Sequence, residues 1–461
     1  MNIVLVMIDS LRKDHLGCYG NNWCKTKNID KLAKESVMFT EVYPECLPTI
    51  QVRRSTHTGK RVFPVREFNP RKGDNVRHSG WEPIEEELMT LSEILHDEGY
   101  RTAFITDAFH QFKPSMNFHR GFDQWEWIRG QEADKYRSCS LPKCVDLEKY
   151  MAPIMKGTGL ETLLRQYLTN TFNRKDETDY FAPQVFSKAM KWLEENQDAE
   201  RFFLLVDSFD PHEPWDPPQH YVDLYDPGYS GKEIIRPLYG DISYLSESEL
   251  NHTRALYAAE VTMVDVWFGK FMDKMKELGR LEDTLVIFIS DHGHPLGEHG
   301  IIGKPAWALY PELMDIPLLI RHPKGIGAGE KCDEFVYNHD LFTTLLGMLG
   351  IKIPEEQGEG VNIWNYILNK EEMKRSYVTS LFRNYVWCRT REFTYFSCSD
   401  GSKPKLFNIK DDPKQMHNIS QGNQRKINEM FTYILADAGK PIPNYETTTQ
   451  TEDNEWFIPK F

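Results

Sequence analysis

The chain opens with the stretch MNIVLVMIDS (residues 1–10), in which apolar residues run without a break from Ile3 to Ile8 and end at Asp9. Hydrophobicity that does not alternate is typical of a strand buried on both faces, as in a parallel sheet. A carboxylate directly after such a strand lies at the edge of the sheet where ligands bind in open α/β folds. We therefore predict a functional acid at this edge, with helix capping as the alternative role of Asp9.

Similar apolar runs recur between turn signals, which indicates further buried strands at Thr102–Thr106, Phe202–Val206, Thr284–Ser290 and Pro317–Ile320. A helical pattern lies between two of them, from Tyr257 to Leu278, with Gly279 at the position of a C-terminal cap. Alternating strands and helices predict an α/β catalytic domain over residues 1–370, with a helical insertion at about 140–200.

Beyond residue 370 the pattern changes to short alternating stretches and then to a helical one. We predict antiparallel strands at Tyr377–Leu381, Tyr385–Arg389 and Phe393–Ser397, followed by a helix at Gln424–Ala438. Residues 371–461 would then form a smaller C-terminal subdomain. Its acidic and aromatic tail, Asn444–Phe461, is expected to dock onto this chain or a partner, which is compatible with a homo-oligomer.

Charge and length exclude several classes of function. The 461 residues carry a net charge of −14, which argues against a nucleic-acid-binding protein because such proteins need a basic face. The N-terminal apolar run is too short for a signal peptide, and no stretch approaches the length of a membrane span, so we expect a cytoplasmic protein without a membrane partner. The eight cysteines contain no CxxC pair and are expected to be reduced, with Cys139–Cys144 and Cys388–Cys398 as candidate disulfides.

A second predicted strand, in the stretch IFISDHG (residues 287–293), would bring an aspartate and a histidine to the same edge of the sheet. Adjacent Asp291 and His292 are compatible ligands for a divalent ion, and Asp9 supplies a third. A turn with a capping aspartate is the alternative structural role of Asp291. A metal site normally needs about one more ligand than these three.

The third element is ECLPTIQVRRSTHTGKR (residues 45–61). Together, the three segments resemble the sulfatase branch of the alkaline phosphatase superfamily, which includes phosphonate monoester hydrolases. In that family an arginine follows the nucleophile by four residues and Thr-Gly follows it by nine and ten. Counting back from Thr58-Gly59 places the nucleophile at Thr49 and the arginine at Arg53. Cys46 imitates the formylglycine precursor of sulfatases, but in its register the arginine would fall on Ile50.

Other segments resemble the family in the expected order. They are Asp210–Pro214, whose His212 would face the leaving group; Leu296–Gly300 with the later Lys304, a substrate-facing lysine; Asp315–Leu318; and Leu406–Pro413. The resemblance covers residues 1 to about 420. It implies a large, mixed and mostly parallel sheet sandwiched by helices, with a small C-terminal antiparallel sheet plus a helix.

The resemblance also implies a site built on one divalent metal ion (Mn, Zn or Ca), held by Asp9, Thr49, Asp291 and His292. Thr49 would be the nucleophile, Arg53 would bind a nonbridging oxygen, and Lys304 and His212 would lie near the leaving oxygen, with His212 as a candidate acid. A second metal is less favoured. Its candidate ligands are Asp207, Asp210, His212, His299 and His339, whose spacing does not match a two-metal pattern.

Three departures from the family point to the substrate. Thr49 cannot become formylglycine, yet a plain alkoxide can attack phosphorus. Ser10 replaces a carboxylate of the sulfatase calcium site. Asp107, after Thr106, replaces a lysine, and we expect both residues to bind substrate. Losing a cation beside the transferred group suggests a singly charged ester.

The predicted function is thus a metal-dependent hydrolase of phosphodiesters or phosphonate monoesters, acting through a covalent phospho-threonine, with sulfatase activity as a secondary one. The partner would be a small-molecule phosphate, phosphonate or sulfate ester. The alternatives are a sulfatase, a phosphotransferase or phosphomutase, and a catalytically silent binding protein that has kept the fold.

Overall fold

A computed structural model describes residues 1–65, 80–112, 116–370, 375–439 and 442. Its centre is an eight-stranded sheet. The strands of this sheet are β1 Asn2–Ile8, β2 Val37–Tyr43, β3 Arg101–Thr106, β4 Gln124–Trp127, β5 Phe202–Ser208, β7 Thr284–Ser290, β9 Leu318–Arg321 and β10 Lys331–Tyr337; the pair β6 Gly240–Asp241 and β8 Ile301–Ile302 forms a separate ribbon. The strand order in the sheet is β10-β2-β9-β7-β1-β5-β3-β4, and only β9 runs antiparallel to its neighbours.

Helices cover both faces of the sheet. Alternate residues of β1 belong to two different apolar clusters: Val4, Val6 and Ile8 pack toward one face, and Ile3 and Leu5 toward the other. The unbroken hydrophobicity of the N-terminal run follows from this double burial. The helices are α1 Lys27–Lys34, α2 Thr49–Thr58, α3 Leu91–Asp97, α4 Gly159–Thr171, α5 Phe181–Glu195, α6 Gln219–Val222, α7 Glu247–Glu277, α8 Pro311–Met314, α9 Asp340–Leu349, α10 Ile363–Asn369 and α11 Gln424–Ala438.

The long helix α7 ends where the sequence predicts but starts ten residues earlier. Its first turn is closed by a capping box, in which Ser246 accepts from the backbone N–H of Glu249 and the Glu249 side chain accepts from the backbone N–H of Ser246. The sequence contains this Ser-x-x-Glu capping motif. The start predicted at Tyr257 was wrong because the prediction used only the spacing of apolar residues. Helix α5, from the predicted insertion, packs on α7 and β5 and so forms part of a helical layer.

The C-terminal part has the predicted form of a small antiparallel sheet and a helix. Its strands, in the order β11-β12-β13-β14, are β11 Tyr377–Phe382, β12 Tyr385–Thr390, β13 Phe393–Cys398 and β14 Lys405–Asn408. Helix α11 covers this sheet with Ile427, Met430 and Ile434. The tail over residues 444–461 lies outside the described residues, and the domain boundary near residue 370 stays a prediction.

Two further findings concern membrane-spanning helices and disulfides. Among the described residues, none of the helices combines the length and the apolar character that a membrane crossing demands. All eight cysteines are free, so neither candidate disulfide forms.

Helix α2 is held in position by the glycine that ends it. Gly59 has a φ of 64°, and its N–H bonds the carbonyl of Ser55. A β-carbon at this position would lie 2.3 Å from the ring of Phe342 in α9. The Thr-Gly pair of the motif therefore combines a left-handed helix cap with close packing of α2 on α9.

We expect Gly59→Ala to destabilise the protein by about 2–4 kcal/mol, since it adds a clash to the cost of a positive φ. Gly279→Ala is the matched control: its φ is 68° but no atom lies within 4 Å of an added β-carbon, so about 1 kcal/mol is expected. Urea unfolding measures both. Equal losses would show that packing against Phe342 contributes nothing.

Candidate active site

The carboxyl ends of β1 and β7 meet at one edge of the sheet. Ile8 pairs with Ser290, so the residues that follow, Asp9 and Asp291, emerge side by side. Asp9, Asp291 and His292 are fully buried, and each offers a ligand atom within 4.8 Å of the others. Within the described ranges, no other group of three histidine, cysteine or acidic side chains comes together in this way.

His292 is held in the tautomer that suits a metal ligand. Its Nδ1 lies 2.9 Å from the carbonyl oxygen of Gly293, and a carbonyl can only accept, so Nδ1 carries the proton. The lone pair is then on Nε2, which faces the cluster 3.6 Å from Asp291 Oδ2. Burial lowers the pKa of His292 to about 4, which keeps the ring neutral near pH 7.

Thr49 lies at the first position of α2, and its Oγ1 is 3.5 Å from His292 Nε2. The N-terminus of a helix favours negative charge, so this position stabilises an ionised hydroxyl. Cys46 packs instead among apolar side chains such as Phe63 and Leu381, and burial raises the pKa of its thiol well above the ordinary value. The geometry thus favours the register that starts at Thr49.

Arg53, one turn further along α2, joins three strand ends. Its guanidinium forms two bonds with Asp207 at 2.7 and 2.9 Å, and its Nη1 lies 2.6 Å from Asp291 Oδ2 and 3.1 Å from Asp9 Oδ2. All four side chains are buried. Buried ionic groups are tolerated only when they are paired in this way.

One arginine does not satisfy all three carboxylates. Asp9 Oδ2 has no hydrogen bond among the described residues, and burial together with neighbouring Asp291 raises the pKa of Asp9 well above its usual range. Burial also raises the pKa of Asp291, but the neighbouring His292 and Arg53 have the larger, opposite effect and lower it to about 2. A carboxylate oxygen that has an ion pair but no hydrogen bond, beside an unprotonated imidazole, fits a divalent cation. Oxygen and nitrogen donors together suit a transition metal.

Lys304 and Ser10 border this cluster. Lys304, 1% exposed, has its Nζ 3.4 Å from Ser10 Oγ, and that hydroxyl donates to Asp9 Oδ1 at 2.8 Å. Ser10 adopts a φ of 58°, a strained backbone conformation of the kind that collects at functional sites. The residue that replaces a family carboxylate therefore links Lys304 to a candidate metal ligand.

His212 is also a buried, neutral histidine. Its Nδ1 donates to the carbonyl of Glu213 at 2.6 Å, and its ring stacks on Phe209 with 4.0 Å between the ring centroids. Burial lowers its pKa well below the ordinary value, and nearby Lys304 acts in the same direction. In the free protein the Nε2 of His212 is therefore a proton acceptor, and the predicted role as an acid requires that it first gain a proton.

Thr106 and Asp107 end strand β3, two strands away from β1, and bond to their own neighbours. Thr106 accepts from the N–H of Ala108 at 3.0 Å, while Asp107 accepts from the N–H of Phe209 at 2.6 Å and from Gln131 at 3.3 Å. Burial and neighbouring Asp210 raise the pKa of Asp107 well above its usual range. The substrate-binding role of this pair stays a prediction, and these contacts point to a structural one.

The other candidates for a second metal are dispersed among separate partners. Asp207 binds Arg53 and Gln111, and Asp210 accepts from Gln131 and from the N–H of Ala182. His299 stacks on Tyr310, and His339 on Tyr337.

The sequence analysis missed two features of the site. One is the pairing of Asp207 with Arg53; its signal was present, because β5 ends in Asp-Ser just as β1 is followed by Asp9-Ser10. The other is a buried group around Glu213, whose Oε2 lies 3.5 Å from His212 Nδ1 and 3.4 Å from His294 Nδ1. No motif or residue spacing in the sequence predicts the contact between Glu213 and His294.

Comparison with known proteins identifies the class. A model of the sulfatase family matches residues 1–351, and one of the C-terminal region of N-sulphoglucosamine sulphohydrolase matches residues 297–438. The chain therefore belongs to the sulfatase family, within the alkaline phosphatase superfamily, as the sequence predicts. It is accordingly a hydrolase of sulfate, phosphate or phosphonate esters, in a family whose members depend on divalent metal ions.

Individual relatives are distant. An arylsulfatase of Clostridium perfringens is 24% identical over 94% of this chain and 92% of its own length. An N-acetylglucosamine-6-O-sulfatase of Bacteroides thetaiotaomicron is 23% identical over 91% of this chain and 82% of its own. The phosphonate monoester hydrolase of Agrobacterium radiobacter shares the fold, with a TM-score of 0.72 and 19% identity over 95% of this chain and 96% of that one.

The donor set predicts how metal affects stability. Manganese at about 100 times its Kd should raise the Tm of the protein by roughly 3 °C, since the ion binds the folded state alone. Asp9→Asn should abolish most of this rise. Asp107→Asn, which changes a buried acid outside the cluster, is the control and should keep it. An equal rise in all three proteins would place the metal elsewhere.

Proposed function

We propose that the chain is a metal-dependent hydrolase of phosphodiesters or phosphonate monoesters in which Thr49 is the nucleophile. The observation that carries this proposal is the position of Thr49 Oγ1, at a helix N-terminus and 3.5 Å from the unprotonated Nε2 of His292. An oxygen held there is favoured in its ionised form. Asp9, Asp291, His292 and Thr49 would hold the ion, which supplies Lewis acidity when bound.

In this proposal each residue of the site has its own role in the reaction. Thr49 Oγ1 attacks phosphorus, the bond to the departing alcohol breaks, and a phospho-threonine forms. Arg53 is fixed by Asp207, and its Nη1 contacts Asp9 and Asp291 in the free protein. Once a bound ion occupies those two acids, Nη1 would be offered to the negative oxygens of the transferred group. Lys304 would stabilise the departing oxygen, and the neutral Nε2 of His212 is suited to take a proton from the water that later attacks phosphorus and frees Thr49.

The side chain of the nucleophile favours phosphorus over sulfur. Water can hydrolyse a phospho-threonine at phosphorus, whereas a sulfate on a plain alcohol is much harder to release. Asp107 in place of a family lysine removes a cation and so favours a singly charged substrate.

A sulfatase is the second candidate function. The similarity to an arylsulfatase and to an N-acetylglucosamine-6-O-sulfatase favours it. That function requires Thr49 to act without the aldehyde chemistry of formylglycine. Cys46, the residue that could supply such chemistry, lies in an apolar cluster. The two candidates therefore differ in which ester is turned over and in which side chain it depends on.

A panel of p-nitrophenyl esters tests the proposal: phosphate, methylphosphonate, phenylphosphonate, sulfate and the bis-p-nitrophenyl phosphodiester, each with added Mn²⁺ or Zn²⁺. We expect the diester or the phosphonates to be turned over fastest. Thr49→Ala should lower kcat/KM by about 1000-fold or more, because the nucleophile is lost, while Thr49→Ser should retain part of the activity.

Cys46→Ala is the matched control, since it changes a buried residue three positions away without touching the cluster, and its rates should stay close to those of the unaltered protein. Sulfate turnover that survives Thr49→Ala but disappears in Cys46→Ala would overturn the proposal and establish the Cys46 register.

A further inference from the structure

A second buried polar group adjoins Lys304, and His212 is the one member that the proposed chemistry uses. Its centre is Glu213, whose Oε1 accepts from the hydroxyl of Tyr239 and lies 3.1 Å from Arg236 Nη1. Its other oxygen, Oε2, lies between the Nδ1 atoms of His212 and His294, at 3.5 and 3.4 Å. One carboxylate thus faces two imidazoles.

The backbone places His294 two residues after His292 and on the same hairpin as Lys304. His294 and Lys304 flank one hairpin, which the hydrogen bond from the N–H of Gly303 to the carbonyl of Pro295 closes at 3.0 Å. Gly303 has a φ of 83°, and a β-carbon there would lie 2.1 Å from the ring of Tyr239. Since Tyr239 also binds Glu213, the same packing fixes Lys304 and the carboxylate that faces His294.

His294 is fully buried, and neither of its ring nitrogens has a hydrogen-bond partner in the described part of the chain. The ring lies edge-on to Trp215, with centroids 5.1 Å apart, which holds its orientation. Nδ1 faces a carboxylate, which can only accept, so the proton belongs on Nδ1 and Nε2 is left as an acceptor. A buried acceptor without a partner is costly, and a ligand hydroxyl group would satisfy it.

A buried imidazole without hydrogen bonds does not by itself indicate a ligand site, because neither ring nitrogen of His339 has a hydrogen-bond partner among the described residues. Two features distinguish His294: the carboxylate at its Nδ1, and its place on the hairpin of Lys304. His339 lies instead at the start of α9, near Arg61 and Arg375.

We propose that His294 is a specificity-determining residue that accepts a hydrogen bond from a hydroxyl group on the departing alcohol, and that Glu213 positions it. The substrate class is then an ester of a polyol or sugar, with a second hydroxyl near the ester oxygen. This inference rests on the proposed function for the identity of the reaction, but the tautomer and the position of His294 do not depend on that function.

The kinetic test compares two esters that differ only in hydroxyl groups: 2,3-dihydroxypropyl methylphosphonate and propyl methylphosphonate, or the corresponding pair in whichever ester class the panel shows to be active. Phosphorus NMR follows hydrolysis of the phosphonates. His294→Phe keeps the ring and removes both nitrogens. It should lower kcat/KM for the dihydroxypropyl ester by about 10- to 100-fold and leave the propyl ester nearly unchanged.

His294→Gln keeps a polar side chain and serves if the phenylalanine variant does not fold; it should lose part of the preference. His339→Asn is the matched control for loss of a buried histidine and should leave the ratio of the two rates as it is. An equal loss on both esters in the His294 variants would overturn the proposal.

A measurement without substrate separates this inference from the proposed function. Nitrogen-15 NMR of labelled imidazoles in the full chain reports which ring nitrogen carries the proton. We expect His294 to carry it on Nδ1, and Glu213→Gln to shift the His294 signals while those of His339 stay in place. A proton on Nε2 of His294 in the unaltered protein would refute the proposal, even if every ester is hydrolysed. Failure of the whole ester panel with the expected tautomer would count against the proposed function alone.

Discussion

The buried guanidinium of Arg53 is the contact around which the site is organised. It reaches the carboxylates that follow or end three neighbouring strands, Asp9, Asp207 and Asp291, and so binds helix α2 to the edge of the sheet. Because each of these acids is buried, none is tolerated without a counter-charge. The same contacts that stabilise the fold therefore determine where α2 begins and where Thr49 Oγ1 lies. Catalytic geometry and stability cannot be separated at this edge.

That coupling would explain why so rigid a helix carries the proposed nucleophile. Every residue of α2 except Arg54 is buried, and its end is fixed by Gly59 against Phe342. A hydroxyl on a loop would lose orientational freedom during the reaction, whereas Thr49 has already lost it on folding. The helix also contributes its dipole at the position where negative charge develops.

The sequence predicted the strands of the sheet centre because double burial leaves unbroken apolar runs, and it predicted Asp9, Asp291 and His292 as neighbours because parallel strands end together. It also placed the C-terminal sheet and helix α11. It could not predict that Asp207 binds Arg53 or that Glu213 faces His294, since these contacts depend on the path of loops between strands. The protonation of His212, on which its predicted acid role depends, could not be predicted for a related reason: it is set by burial and by a carbonyl that only the fold brings near.

Charge balance connects the site to its substrate. Counted as ionised, as they would be around a bound cation, the three carboxylates exceed the two buried cations, Arg53 and Lys304, by one negative charge. Burial lowers the pKa of both His212 and His292 and keeps these rings neutral. A divalent cation would reverse this excess to one positive charge, and an ionised Thr49 would then cancel it. Binding a singly charged ester in such a neutral site buries less uncompensated charge than binding a doubly charged phosphate monoester, and therefore costs less. Diesters, phosphonate monoesters and sulfate monoesters all carry a single charge. Discrimination among them must come from the bond to be broken and from the alcohol that leaves, the side on which we propose that Lys304, His212 and His294 act.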